Sequence, residues 1–136
     1  MQLCNIVKNP YAPNGERTVY QREIDSDYVH TDKYGNKISN IERMQKGQAP
    51  YELNTKTGNS EQIQLHHSQQ KNSGSIFEIK ESTHLNKNAQ NGNNALHPYN
   101  NSKNPNDAVD RASFNKERKE YWKQRADNLL GTKIGN

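Results

Sequence analysis

The chain has 136 residues, 29% of them apolar, and a net charge of +4 from 19 Lys and Arg against 15 Asp and Glu. Ordinary globular domains are roughly 45–50% apolar with glycine counted, so the core is small, one domain is the natural organisation, and a bound metal or partner would contribute visibly to stability. The single cysteine, Cys4, excludes an internal disulfide and a cysteine-based zinc cluster, no run approaches the ~18 apolar residues of a membrane span, and the mild positive charge suits either a polyanion partner or an ordinary solvated surface.

Residues 1–17, with Pro10, Pro13, Asn14 and Gly15, read as an irregular entry segment. Residues 18–131 read as the domain proper and 132–136 as a tail. Val19 to Ile24 and Tyr28 to Thr31 are strand-like, and Asp32 to Asn36 is a turn, which predicts an N-terminal hairpin with His30 exposed on it. Ser39-Asn40-Ile41-Glu42 has the spacing of a capping box, so a short helix should follow and stop at Gly47, before Pro50 forces extended chain.

Ile63 and Leu65 alternate with Gln62 and Gln64 as the buried face of a short strand ending on His66 and His67. Neighbouring side chains on a strand point to opposite faces, so the two histidines serve one phosphate only if the strand stops or bends there. The polar loop Ser68 to Ser75 supplies that stop. Ile76, Phe77 and Ile79 suggest a returning strand, and Ser82 or Thr83 would cap a helix beginning near His84.

Nine asparagines between residues 86 and 106, with Gly92, Pro98 and Pro105, exclude a long helix there. His84 and His97 would lie ~20 Å apart on one continuous helix, so they meet only if the chain turns back, most simply at Asn91-Gly92. Residues 113–130 predict an amphipathic C-terminal helix capped by Ser113 and ended by Gly131. Its apolar stripe is Phe114, Tyr121, Trp122, Ala126 and Leu129. Lys116, Arg118, Lys119, Lys123 and Arg125 would form its polar face, either simply solvated or tracking phosphates.

Four of the five histidines fall between residues 66 and 97. The ordered series Leu65-His66-His67, Gln70, Glu78, His84 and Leu96-His97 resembles the LHH branch of the HNH/endonuclease VII (ββα-metal) nuclease superfamily. Glu42-Arg43-Met44, followed by Gly47 and Pro50, extends the resemblance to about residues 18–125. It implies a small α+β domain with a ββα-metal, HNH-like core, and a metal-dependent, sequence-nonspecific DNA endonuclease. Such domains form the toxic C-terminal tips of bacterial polymorphic toxins, including the LXG type.

By that resemblance His67 is the general base and His66, His84 and His97 hold one divalent metal ion. The residues do not choose among Mg, Mn, Zn and Ni. His84 and His97 depart from the one-turn ligand spacing of many HNH nucleases. Some relatives carry an acid two residues before the histidine pair, where this chain has Gln64. Glu78 is therefore a candidate to orient a ligand, or else a surface acid. Gln70 would support the site, and Arg22 and Arg43 are candidates to clamp phosphate.

An imidazole suits the base role because its ordinary pKa of ~6.5 leaves it neutral yet basic at physiological pH, while the metal stabilises the leaving oxygen. Two rivals remain: an RNase on the same scaffold, whose cleavage through the 2′-hydroxyl would not need metal, and a non-catalytic histidine-metal module that binds nucleic acid. The toxin resemblance also implies a cognate immunity protein, with an acidic contact surface to match the positive charge. It further implies secretion as part of a larger toxin that acts in the cytoplasm of a target bacterium, since no export signal is read in this chain.

Overall fold

The computed structural model describes residues 3–9, 17–68, 74–82 and 109–133. Gln70, His84 and His97 lie outside the described residues, as does the proposed turn at Asn91-Gly92. The fold is α+β. Its elements are β1 (Leu3–Lys8), β2 (Thr18–Arg22), β3 (Val29–Thr31), β4 (Lys37–Ser39), α1 (Asn40–Gln45), β5 (Tyr51–Leu53), β6 (Ser60–His67), β7 (Ile76–Lys80) and α2 (Arg111–Lys133). The chain forms two compact units, one from residues 1–23 and 64–117, the other from residues 24–63 and 118–136.

In the first unit the strands follow the order β1-β2-β7-β6. The entry segment therefore contains a strand, contrary to its irregular appearance. The turn-forming residues are confined to positions 10–15, and Leu3–Lys8 pairs antiparallel with β2 on their far side. Strand β2 also pairs parallel with β7, Val19 opposite Ile76 and Tyr20 opposite Phe77. Because residues opposite each other share a face, Val19 and Ile76 are buried together, and the Tyr20 and Phe77 rings stack at 4.7 Å on the other side. The chain is helical at Glu81 and Ser82, directly after β7 and ahead of the expected start.

The second unit holds the predicted hairpin, β3 against β4, with Asp32 Oδ1 accepting from the main-chain N–H groups of Tyr34 and Asn36 at 2.9 Å each. His30 is not simply exposed: its ring is half-buried and lies flat on Tyr51, centroids 3.8 Å apart. Burial, helped by the charge of Arg43 and opposed by Asp32, lowers its pKa. The capping box forms as read, Ser39 Oγ accepting from Glu42 N and Glu42 Oε1 accepting from Ser39 N. Strand β5 pairs antiparallel with the start of β6, Tyr51 opposite Gln62.

Helix α2 begins at Arg111, not beyond Ser113. Asp110 is the cap: its Oδ1 accepts from Ser113 N at 3.3 Å and its carbonyl from Phe114 N at 2.9 Å, and a carboxylate there also meets the positive end of the helix dipole. The helix continues through Gly131 to Lys133. Phe114, Glu117, Tyr121, Trp122, Arg125 and Ala126 are buried along it, so Arg125 leaves the expected polar face while Lys116, Arg118, Lys119 and Lys123 stay on it. Leu129 is only half-buried.

Gly47 has φ 78°, the left-handed value expected after α1, and a β-carbon there would sit 3.1 Å from Lys119 Cβ and 3.2 Å from the Lys119 main chain. Gly47→Ala therefore combines backbone strain of about 1–2 kcal/mol with overpacking of about 1–3 kcal/mol. We expect a loss of at least about 2 kcal/mol, read as a lower urea midpoint at unchanged slope. A variant as stable as the parent would show that the Lys119 backbone yields freely.

Candidate active site

Strand β6 stops at His67, as the histidine pair requires, and its burial pattern changes phase just before the pair. Glu61 and Ile63 are buried against half-buried Gln62 and Gln64, but Leu65 is only half-buried, and His66 and His67 are then both buried, at 4% and 5% exposure. Leu65 thus leaves the core face it was assigned to. Directly after the strand, Ser68 N donates to Ser75 O at 2.8 Å. The His67 ring meets Phe114 of α2 edge-on, centroids 4.3 Å apart at 66°, a favoured aromatic geometry that restricts ring rotation.

Glu78 is fully buried, which removes the surface-acid reading. Its Oε1 accepts from the main-chain N–H of Arg22 at 2.9 Å. His66, His67, Glu78 and Arg22 therefore lie in one unit, on β6, β7 and β2, which are consecutive neighbours in the sheet. Arg43 belongs to the second unit, where it donates its Nε to Ala49 O at 3.0 Å and lies over the Tyr51 ring at 4.7 Å. Among the described residues no group of three or more His, Cys, Asp or Glu side chains is placed to hold a metal. Of the three expected ligands only His66 is described, and its imidazole is suitable donor chemistry for a divalent ion.

A second cluster in the same unit escaped the sequence reading. Arg17 and Glu117 form a two-pronged ion pair, Nη2 to Oε1 at 3.1 Å and Nε to Oε2 at 3.0 Å, with side chains 3% and 2% exposed. Asn9 Nδ2 donates to the same Glu117 Oε2 at 3.1 Å, and Arg17 Nη1 donates to Gly74 O at 2.8 Å. The one signal available in the sequence was Glu117 itself, an acid at a stripe position between Phe114 and Tyr121.

The sequence model of a family described as nucleases of the HNH/ENDO VII superfamily with conserved LHH matches residues 39–128. The chain belongs to this LHH family. The family consists of nucleases, so its substrates are nucleic acids, and HNH nucleases typically use a divalent metal. No curated protein and no solved structure matches the chain. The LHH match takes in β6, β7, the histidine pair, Glu78 and Glu117, and leaves out β1, β2, Asn9, Arg17 and Arg22. Among the described residues no helix is long and apolar enough to cross a membrane.

Burial raises the pKa of the Glu117 carboxyl despite the opposing pull of Arg17 and Asn9. A carboxyl whose pKa is higher folded than unfolded binds its proton more tightly in the native state. Its contribution to stability is complete below the ordinary glutamate pKa and is lost as pH rises through the raised folded value. We expect the stability of the parent relative to Glu117→Gln to fall with pH across that window in chemical denaturation, and to be flat above it. A difference independent of pH would mean that Glu117 titrates alike in both states.

Proposed function

We propose that this LHH protein is a metal-dependent, sequence-nonspecific DNA endonuclease and the toxic effector domain of a larger LXG-type toxin used in competition between bacteria. The observation that carries the catalytic reading is the Leu65-His66-His67 run closing β6, with both imidazoles buried and His67 held against Phe114. In this mechanism His67 takes a proton from a water as that water's oxygen bonds to phosphorus. The bond from phosphorus to the leaving sugar oxygen breaks, and no covalent enzyme intermediate forms. His66, with His84 and His97, would hold a divalent metal. When bound, that ion supplies positive charge at the phosphate and the departing oxygen.

Glu78, fixed by the Arg22 N–H, and Gln70 are assigned supporting roles, and Arg22 a phosphate contact. The net charge of +4 supports a polyanionic substrate and an immunity protein with an acidic face. Delivery into the cytoplasm of a target bacterium belongs to the same toxin reading.

The test incubates the purified chain with plasmid DNA and, separately, total RNA, each with added divalent metal and with excess EDTA. We expect DNA degradation that EDTA abolishes. His67→Ala should lower cleavage by about 10²–10⁴-fold while metal binding, followed by calorimetry, persists. RNA degradation indifferent to EDTA would transfer the site to an RNase, and cleavage retained by His67→Ala would falsify the base assignment.

A further inference from the structure

We infer that Arg17, acting with Glu117 and Asn9, is a positioning residue for His67, a role that rests on reading His67 as the base. The contacts form a closed circuit within one unit. From His67 the chain passes to Ser68, whose N–H is bonded to Ser75 O, next to Gly74. The Gly74 carbonyl is held by Arg17 Nη1, and the other two nitrogens of the same guanidinium engage both oxygens of Glu117. Glu117 lies one helical turn after Phe114, whose ring returns to His67. Gly74, next to the residue bonded to Ser68, and the Phe114 helix turn are thus both tied to a single side chain.

The anchor is itself fixed. Arg17 and Asn9 exchange main-chain hydrogen bonds, Asn9 N to Arg17 O at 2.7 Å and Arg17 N to Asn9 O at 3.1 Å, and the Asn9 amide grips Glu117 from the same side. A guanidinium can do this because it presents five donors in a rigid planar fork. A lysine keeps the charge but cannot reach a main-chain carbonyl and both carboxylate oxygens at once. The bond to Gly74 satisfies a donor of the buried guanidinium and is also the link that reaches the segment after the histidines. Arg17 and Asn9 also precede the residues that match the LHH family, 39–128, so the circuit joins the family's motif to a part of the chain outside it.

The full chain is tested as Arg17→Lys, as the paired Arg17→Met/Glu117→Leu variant, and as Trp122→Phe, a core substitution in the other unit whose denaturation midpoint is measured alongside. Two readouts are followed: kcat and KM on duplex DNA with Mg²⁺, and the nuclear Overhauser contact between the His67 and Phe114 rings. Misplacing a reacting group slightly costs about a hundredfold in rate. We therefore expect Arg17→Lys to lose about that factor in kcat, with KM within about twofold, and to lose the ring contact.

The paired variant leaves no buried charge unmatched, so it should recover the denaturation midpoint without recovering kcat or the contact. Trp122→Phe should keep both. Recovery of kcat together with stability in the paired variant, or an unchanged ring contact in Arg17→Lys, overturns the inference. Should Arg17→Lys fail to fold, the paired variant decides alone. Should the parent cleave no DNA, the nuclease reading falls and the ring contact still decides the positioning role.

Discussion

The buried face of the first unit is ordered around a charge pair that water does not reach. Arg17 and Glu117 are almost wholly enclosed, and two ions in such a place are costly unless their hydrogen-bonding groups meet partners in good geometry. Here Gly74 O, Asn9 Nδ2 and the bond from Arg17 Nη2 to Glu117 Oε1 provide them, while Arg17 Nε makes only a close charge contact with Glu117 Oε2. A chain with so few apolar residues has little alternative. Among the described residues the buried set contains as many polar and charged side chains as hydrophobic ones, ten of each. An interior of this kind is demanding about geometry, because a displaced partner leaves an unmet buried group rather than a slightly looser contact.

The second unit meets the same constraint with a neutral residue. Asn40, fully buried at the first position of α1, donates through Nδ2 to Asp25 O and Tyr51 O, and its Oδ1 accepts from Tyr51 N. One amide therefore joins the chain before β3, the start of α1 and β5. The Arg43 guanidinium, through a cation–π contact, and the His30 ring, through stacking, both lie over Tyr51. The desolvation that lowers the His30 pKa follows from its use as a packing surface.

What could be read from the sequence was set by short-range rules. The Ser39–Glu42 box, the left-handed Gly47, the Asp32 turn and the stop of β6 at His67 each depend on a few consecutive residues, and each is present. The long-range features were not legible. Arg17 and Glu117 are one hundred positions apart, and no local pattern marks a surface-type residue that will be buried by a distant partner. Glu78 was ambiguous for a related reason: its burial depends on β7 lying beside β2, a parallel pairing formed only after the chain has made the whole second-unit excursion. Ser113 and Asp110 are both competent caps, and local rules alone did not rank them.

The pairing of β2 with β7 connects these points to the site. Only two opposed residue pairs define that parallel ladder, Val19 with Ile76 and Tyr20 with Phe77, and so short a ladder specifies its register weakly. A slip of one residue would exchange the buried and exposed faces of β2. The strand is instead tied to β7 at both ends by bonds that involve side chains: Arg17 Nη1 to Gly74 O before the ladder, and Arg22 N to Glu78 Oε1 after it. A slip would break both ties at once, which raises the cost of the wrong register above that of the ladder's own hydrogen bonds. Because β7 also borders β6, the register fixed by Arg17 and Glu78 sets the strand beside the histidines. In this chain the strand beside the LHH run is therefore tied both by Glu78, within the residues that match the family, and by Arg17, which precedes them.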